Sequence, residues 1–389
     1  MSSIAGGMIV GVGDTDYARD WERHRTEGAQ TDAYGYAAIA LQRALHDAGL
    51  AKADIDGIFV GSPLAYERCA EVLGLNVSWA SSGDSAQALQ DAMAAIAMGW
   101  TDCVALVYGN DQRSAGTAYG GPDASYGDQF LSYVYYEPWG FTSQGALYAL
   151  LARRYLAVHD LDERVLGEVA VAQRMHARRN PNAVMQSALT IEDYLASRTI
   201  VDPLRLYDYT IVNDGGVVLL VVSDEFARTR GLLDRAVQLK GMGRSDLNVD
   251  ATSLAPRLVD FYHSAHSRAA HSLYQTASLG PEDIDVLQIY DSFSIHVPVM
   301  LAGLGFTDDF GVGDFVLSGA LRPGGRLPTN TSGGHLSESY MQGWGHLVEC
   351  VRQVRGEAGD RQIPGVRHAQ YGSDVAGKVF TTIFGKPAH

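Results

Sequence analysis

One pattern occurs twice in this chain, and the distance between the copies limits the folds available. Residues 40–50 have helical apolar spacing, and Asp54-Ile55-Asp56-Gly57-Ile58-Phe59-Val60 comes next as a short turn and a buried strand. Residues 269–279 lead in the same way into Asp283-Ile284-Asp285-Val286-Leu287-Gln288-Ile289. The two Asp-Ile-Asp triplets lie 229 residues apart. Solenoids repeat every ~20–50 residues, so this spacing instead suits two copies of one α/β unit.

Each copy has a second helix rich in small residues. The first spans residues 85–98, stops at Gly99 and leads to an apolar strand over 103–108. The second spans residues 335–354, stops at Gly356 and precedes a strand over 379–384. Helices alternating with β-branched strands predict a layered α/β fold. We divide the chain into an N-terminal half, 1–235, and a C-terminal half, 236–389. The first half includes an insert of about 110–235, rich in Gly, Tyr and Ser over 115–126, then helical over 143–159 and 164–178. Residues 8–13 read as a strand and glycine turn that lacks the third glycine of a dinucleotide fingerprint.

Charge narrows the partners. The formal net charge is -15, from 45 acidic and 30 basic residues, with no Lys/Arg cluster, which argues against nucleic acid. No apolar run reaches the ~18 residues of a membrane span. Residues 1–7 carry no export signal, so a cytoplasmic location is expected. Cys69, Cys103 and Cys350 show no paired spacing and read as reduced, buried thiols.

Five local strings then occur in a telling order. They are Met175-His176-Ala177-Arg178-Arg179-Asn180-Pro181-Asn182-Ala183, Thr199-Ile200-Val201-Asp202-Pro203-Leu204-Arg205 and Asn213-Asp214-Gly215-Gly216, with Tyr290-Asp291-Ser292-Phe293 and Asn330-Thr331-Ser332-Gly333-Gly334-His335 through Tyr340 after them. Together with the duplication they resemble the thiolase superfamily over nearly the whole chain, specifically its sterol-carrier-protein-type, lipid-transfer-protein-like thiolases. The resemblance implies a duplicated thiolase fold, five-layer αβαβα, with an inserted loop domain. In a thiolase, the position six residues after the second glycine of Asn-x-x-Gly-Gly is a catalytic His; here it is Tyr340. The residue opening the other motif, His or Asn in that family, is Tyr290. The nucleophilic Cys aligns with Ser82, and no Cys stands in Tyr371-Gly372-Ser373-Asp374, where the acid/base Cys belongs.

Without a thiolate, thiolysis has no covalent route. A serine with no base beside it is a poor acyl acceptor, so Ser82 reads more simply as a helix cap offering its backbone N–H. A retro-aldol cleavage needs no covalent intermediate. The pattern resembles the thiolase-like steroid side-chain acyl-CoA aldolases, which use paired tyrosines. The resemblance makes Tyr290 and Tyr340 the proton-transfer pair, with phenol pKa values lowered from ~10 by neighbours. Backbone groups near Ser82 and Gly372 are expected to stabilise the enolate. Asp291 reads as an orienting carboxylate, and His335 as either a supporting group or a helix-start residue. Ser292 departs from the steroid enzymes, where a larger polar group such as His is expected.

The substrate implied is a coenzyme A thioester of a bulky β-hydroxyacyl group, with no tightly bound cofactor and no metal. His263, His266 and His271 read as a solvated helix face rather than ligands, as do Arg174, Arg178 and Arg179. Trp344, Gly345 and His346 continue the Tyr340 helix. The resemblance also implies a homodimer and a zinc-bearing OB-fold subunit that holds the acyl-CoA. The alternatives are an acyltransferase or condensing enzyme using Ser82, and a non-catalytic lipid or acyl-CoA carrier.

Overall fold

A computed structural model describes residues 7–28, 31–117, 119, 139, 141, 143–246 and 259–387. Most of the Gly/Tyr/Ser-rich stretch 115–126 lies outside the described residues. The strands are β1 (Gly7–Asp14), β2 (Gly57–Val60), β3 (Trp79–Ser82), β4 (Cys103–Asn110), β5 (Thr199–Val201), β6 (Leu204–Arg205), β7 (Gly215–Ser223), β8 (Val237–Ser245), β9 (Val286–Ile289), β10 (His368–Val375) and β11 (Lys378–Gly385). Nine of them form one sheet in the order β3-β2-β4-β7-β1-β8-β11-β10-β9. β7, which falls inside the stretch 110–235 read as an insert, is a central strand between β4 and β1.

The two Asp-Ile-Asp copies do the same mechanical work. Asp54 closes a 3-10 turn by accepting the Ala51 N–H at 2.8 Å, and Asp283 does so for the Gly280 N–H at 2.8 Å. The second aspartate of each triplet ties down the start of the neighbouring strand. Asp56 accepts the N–H groups of Asp102 and Cys103, and Asp285 those of Arg367 and His368. β2 then pairs in parallel with β4, as β9 does with β10.

Strand alternation sorts the side chains into layers. Cys103, Ala105 and Val107 of β4 pack outward with the helices Ala33–Ala48 and Tyr66–Leu73. Val104, Leu106 and Tyr108 face inward, sharing a core with the helices Ser85–Ala97 and Trp344–Arg355 and with Phe380 and Phe384 of β11. On the far side, Leu287, Ile289 and Ile383 pack against the helices His263–Ala277 and His296–Gly303. This is the expected five-layer αβαβα arrangement.

Three local expectations need correction. The helix expected over 335–354 is two helices, Gly334–Ser337 and Trp344–Arg355, so Tyr340 lies on the link between them. The break is built in: Gly343 has φ +83°, and the Tyr340 N–H donates to Asn213 Oδ1 at 2.6 Å instead of to a helical carbonyl. Arg174 is not on a solvated face; it is buried, donating from Nε to Ser337 Oγ and from Nη1 to the Ser187 carbonyl. His266 is also fully buried and meets Asp374 Oδ2 at 2.8 Å.

Candidate active site

Tyr290 comes directly after β9, and its N–H donates to the Gly372 carbonyl of β10 at 2.9 Å. Gly372 therefore sits inside the sheet, where a Cβ would meet Leu304 and Met300 at 2.9 Å. Tyr340 arrives from the opposite side on the link between the two helices. Asn110 at the end of β4 donates to its carbonyl at 3.3 Å, and Asn213 receives its N–H. The two phenol oxygens meet at 3.2 Å, 50 residues apart in sequence. Tyr290 is 8% exposed and Tyr340 7%, so the contact is nearly dry.

The loop that delivers Tyr340 depends on its glycines. Gly334 has φ +58°, and a Cβ there would lie 2.5 Å from Asp291 Oδ2. Asn330 pairs with the Ile289 backbone in both directions, accepting its N–H at 2.7 Å and donating to its carbonyl at 3.0 Å. A side-chain amide offers both functions from two separate atoms. The string around His176 clamps the same loop from behind. Asn180 donates to the Ser332 carbonyl and to Glu338 Oε1, and the Val184 and Met185 N–H groups donate to the carbonyls of Glu338 and Ser337.

Asp291 and His335 form the floor. The Asp291 carboxylate accepts the His335 N–H at 3.0 Å and His346 Nε2 at 2.9 Å. The Gly343 N–H donates to His335 Nε2 at 2.9 Å, which puts the neutral ring's proton on Nδ1. Burial, then the neighbouring His346 and His296, hold His335 well below the ordinary imidazole value. Its ring stands edge-on to both Tyr290, at 4.9 Å, and Tyr340, at 5.1 Å. Ligand atoms of Asp291, His335 and His346 lie within 4.8 Å of one another. Asp291 and His346 are engaged with each other and with the backbone, since His346 Nε2 also donates to the Ile289 carbonyl at 2.8 Å, whereas His335 Nδ1 lies 3.4 Å from Asp291 Oδ1 without a hydrogen bond.

Burial, and then the facing phenol of Tyr340, raise the Tyr290 pKa well above the ordinary phenol value. This reverses the expectation that neighbours lower it. The desolvation of a buried tyrosinate and the hydrogen bond to Tyr340 act in the same direction here, and no cation is among the causes of the shift. The pair therefore rests with the Tyr290 proton in place.

Ser82 is exposed at the end of edge strand β3, and the N–H of the next residue, Gly83, is used on the Val60 carbonyl. Ser85, one residue beyond the Asp84 helix cap, is the buried serine, with Oγ 3.3 Å from the Tyr371 hydroxyl. The three thiols are all buried. Desolvation pushes Cys69 and Cys103 up to about 12, and Cys350 well above the ordinary thiol value.

Sequence reasoning missed His296. It opens the helix His296–Gly303, four residues past Ser292, whose Oγ is 3.2 Å from its Nε2, and its ring is 6.0 Å from Tyr290 and 4.4 Å from Tyr148. An imidazole thus stands beside position 292, supplied from position 296, although Ser292 lies in the turn before the helix and no helical spacing announces the pair. Burial pushes His296 down to about 4 despite the pull of Asp374, so it is neutral at pH 7.

Comparison with known proteins shows the family of the chain. The family model described as thiolase C-terminal domain-like matches residues 250–385. The chain is 32% identical to the 17-hydroxy-3-oxo-4-pregnene-20-carboxyl-CoA lyase of Mycobacterium tuberculosis, covering 92% of this chain and 94% of that protein. It is also 32% identical to a steroid side-chain-cleaving aldolase of Thermomonospora curvata, covering 92% of each. Among solved structures, the Ltp2-ChsH2(DUF35) aldolase superposes with a TM-score of 0.84 at 28% identity, covering 98% of both chains.

Proposed function

Because this chain belongs to the thiolase superfamily, among its steroid side-chain-cleaving aldolases, and is therefore a carbon–carbon lyase of thiolase-like fold, we propose that it cleaves a bulky, steroid-like β-hydroxyacyl-CoA through a relay of the Tyr290 and Tyr340 phenols. The products are a ring ketone and a short acyl-CoA, propionyl-CoA by analogy with the family. The β-hydroxyl proton passes to one phenol oxygen as that phenol hands its own proton to the other. The Cα–Cβ bond breaks as the second phenol, while it receives that proton, gives its own to Cα, so the enolate charge that builds on the thioester oxygen is discharged within the same relay. Atoms balance without water, oxidant or cofactor.

The observation that carries this reading is the 3.2 Å contact of two phenols in a nearly dry setting. A relay suits their electrostatics, since neither ring has to become a free tyrosinate, which burial penalises. Gly372, through the Tyr290 N–H, and Asp291, through the His335 backbone, position the pair. Ser82 is assigned no covalent role, because it is exposed and nothing beside it in the described structure would activate it.

We further propose that the chain acts in the cytoplasm as a homodimer, with an OB-fold subunit completing the acyl-CoA site. Incubation with β-hydroxyacyl-CoAs should release ketone and short acyl-CoA in equal amounts. Acyl label found on Ser82 by mass would overturn the relay. Equal turnover by the chain alone and by the co-expressed pair would remove the partner from the proposal.

A further inference from the structure

Two neighbouring residues of β10 reach the phenol pair by different routes. The Gly372 carbonyl holds the Tyr290 N–H at 2.9 Å. The Tyr371 side chain, fully buried, ends against Gly343, which closes the link that carries Tyr340. A Cβ on Gly343 would run into the Tyr371 hydroxyl and lie 2.6 Å from Ser85 Oγ. From the other side of that contact, the Gly343 N–H donates to His335 Nε2, and the His335 ring stands edge-on to both phenols. The Tyr371 ring also lies 5.6 Å from that of His346, whose Nε2 meets Asp291 Oδ1 at 2.9 Å.

Core packing accounts for the Tyr371 ring but not for its hydroxyl. A phenylalanine would fill the same space with no polar atom to desolvate. Ser85 Oγ stands 3.3 Å from the hydroxyl, longer than the ~2.5–3.0 Å of a good O–H···O bond. What the hydroxyl meets tightly is the Gly343 backbone, where no side chain fits. We propose that Tyr371, braced by Ser85, is a positioning residue: its hydroxyl fixes Gly343, and through Gly343 and His335 the separation of the Tyr290 and Tyr340 phenols, a role that rests on the phenol relay.

The need for such a brace follows from the loop itself. Gly343 has φ +83°, a conformation that glycine adopts at no steric cost and that its own backbone does little to enforce. A wall of hydroxyls behind it stops the link from moving toward the helix Ser85–Ala97, which Ser85 opens. Burial raises the Tyr371 pKa, so the phenol keeps its proton and is no rival base to the pair. A relay passes its proton only across hydrogen-bond reach, and a misplacement of ~1 Å can cost ~100-fold in rate. Removing one hydroxyl from a packed core releases part of that distance, so a loss of about tenfold in kcat is expected.

Two measurements on the full-length chain test the brace. Crystal structures of the parent and Tyr371→Phe give the separation of the phenol oxygens, which should open from 3.2 Å to beyond about 3.5 Å, outside hydrogen-bond reach. With a steroid β-hydroxyacyl-CoA as probe and ring ketone as readout, Tyr371→Phe should lower kcat about tenfold and leave KM within about twofold. In a Tyr340→Phe background the same change should cost less than about twofold more, because Tyr371 acts through the phenol already removed. A general weakening of the fold would lower both backgrounds equally. Equal losses in the two backgrounds, or phenols still in contact in Tyr371→Phe, would overturn the assignment. If Tyr371→Phe does not fold, Ser85→Ala keeps the ring and goes through the same two measurements. Loss of turnover in Tyr340→Phe with none in Tyr371→Phe removes the brace alone, whereas full activity of Tyr340→Phe removes the relay and the brace with it.

Discussion

β2 and β9 are the same strand twice, yet the residues at their C-terminal ends differ. The Gly61 N–H donates to the Val107 carbonyl of β4, and the Tyr290 N–H donates to the Gly372 carbonyl of β10, both at 2.9 Å. The first position has to be small, since a Cβ on Gly61 would meet Tyr108 at 2.7 Å and the Trp344 indole at 2.9 Å. Trp344 starts the helix that comes after the Tyr340 link. One copy thus gives up a side chain so that the element beside the site can pack, and the other spends the equivalent position on a phenol. Duplication supplies two equal strand ends, and the proposed chemistry occupies one.

The contrast breaks most sharply at the phenols. Tyr290→Phe or Tyr340→Phe should each lower kcat by ~10²–10⁴-fold with the fold intact. The double variant should be little worse than either single one, because a relay fails at its first missing hydroxyl. Steady-state kinetics on the purified variants check both. The pH profile checks the relay itself. A free tyrosinate base with a raised pKa would make kcat climb about tenfold per pH unit through neutrality. A neutral relay leaves kcat level between about pH 6.5 and 8.5.

Acid stability should separate the two copies next. His24 and His46 are not buried, whereas His296 and His335 around β9 are, as is His176, which belongs to the first half but packs on the second through the Leu321 carbonyl. Burial pushes His176 and His296 down to about 4. Neutral in the folded chain, they take up protons near pH 6.5 once unfolded. Their contribution is therefore constant above pH ~6.5 and is lost as pH falls toward 4, on the order of 3 kcal/mol each. Hydrogen exchange at pH 5 should show elements around β9 opening before those around β2. Equal opening of both would contradict the assignment.

The scaffold was legible in the sequence because its signals are local. The Asp-Ile-Asp turns, the alternation in β4 and the glycine stops each act within a few residues. The phenol pair was legible only through motif resemblance, since nothing in spacing brings residues 290 and 340 together. Two things were out of reach. The break at Gly343 depends on Asn213, 127 residues before Tyr340, taking the Tyr340 N–H. The direction of the Tyr290 shift depends on how dry the cleft is, which composition does not record. His263 illustrates the same limit, because the carboxylate that it meets belongs to Asp309, 46 residues further on (309 − 263).

Matched removal of the strand-start aspartates is a milder probe. Asp56→Ala and Asp285→Ala should each cost about 1–3 kcal/mol, read by denaturant unfolding, because each strands backbone N–H donors. Only Asp285→Ala should also reduce kcat. Asp285 anchors the start of β10, whose Gly372 carbonyl fixes Tyr290. An equal loss of activity in both would mean that the copies share the site.

The smallest effect is expected where thiolases place their nucleophile. Ser82 ends the edge strand β3, exposed, and its pairing with Val60 is through the backbone. Ser82→Ala keeps that backbone and removes only a solvated hydroxyl, so stability should change by less than about 0.5 kcal/mol. With no covalent step to lose, kcat should stay within about twofold of the parent. A drop of a hundredfold or more, measured beside Tyr340→Phe on one substrate, would move the chemistry from the β9 copy to the β2 copy and restore acyl transfer as the reaction.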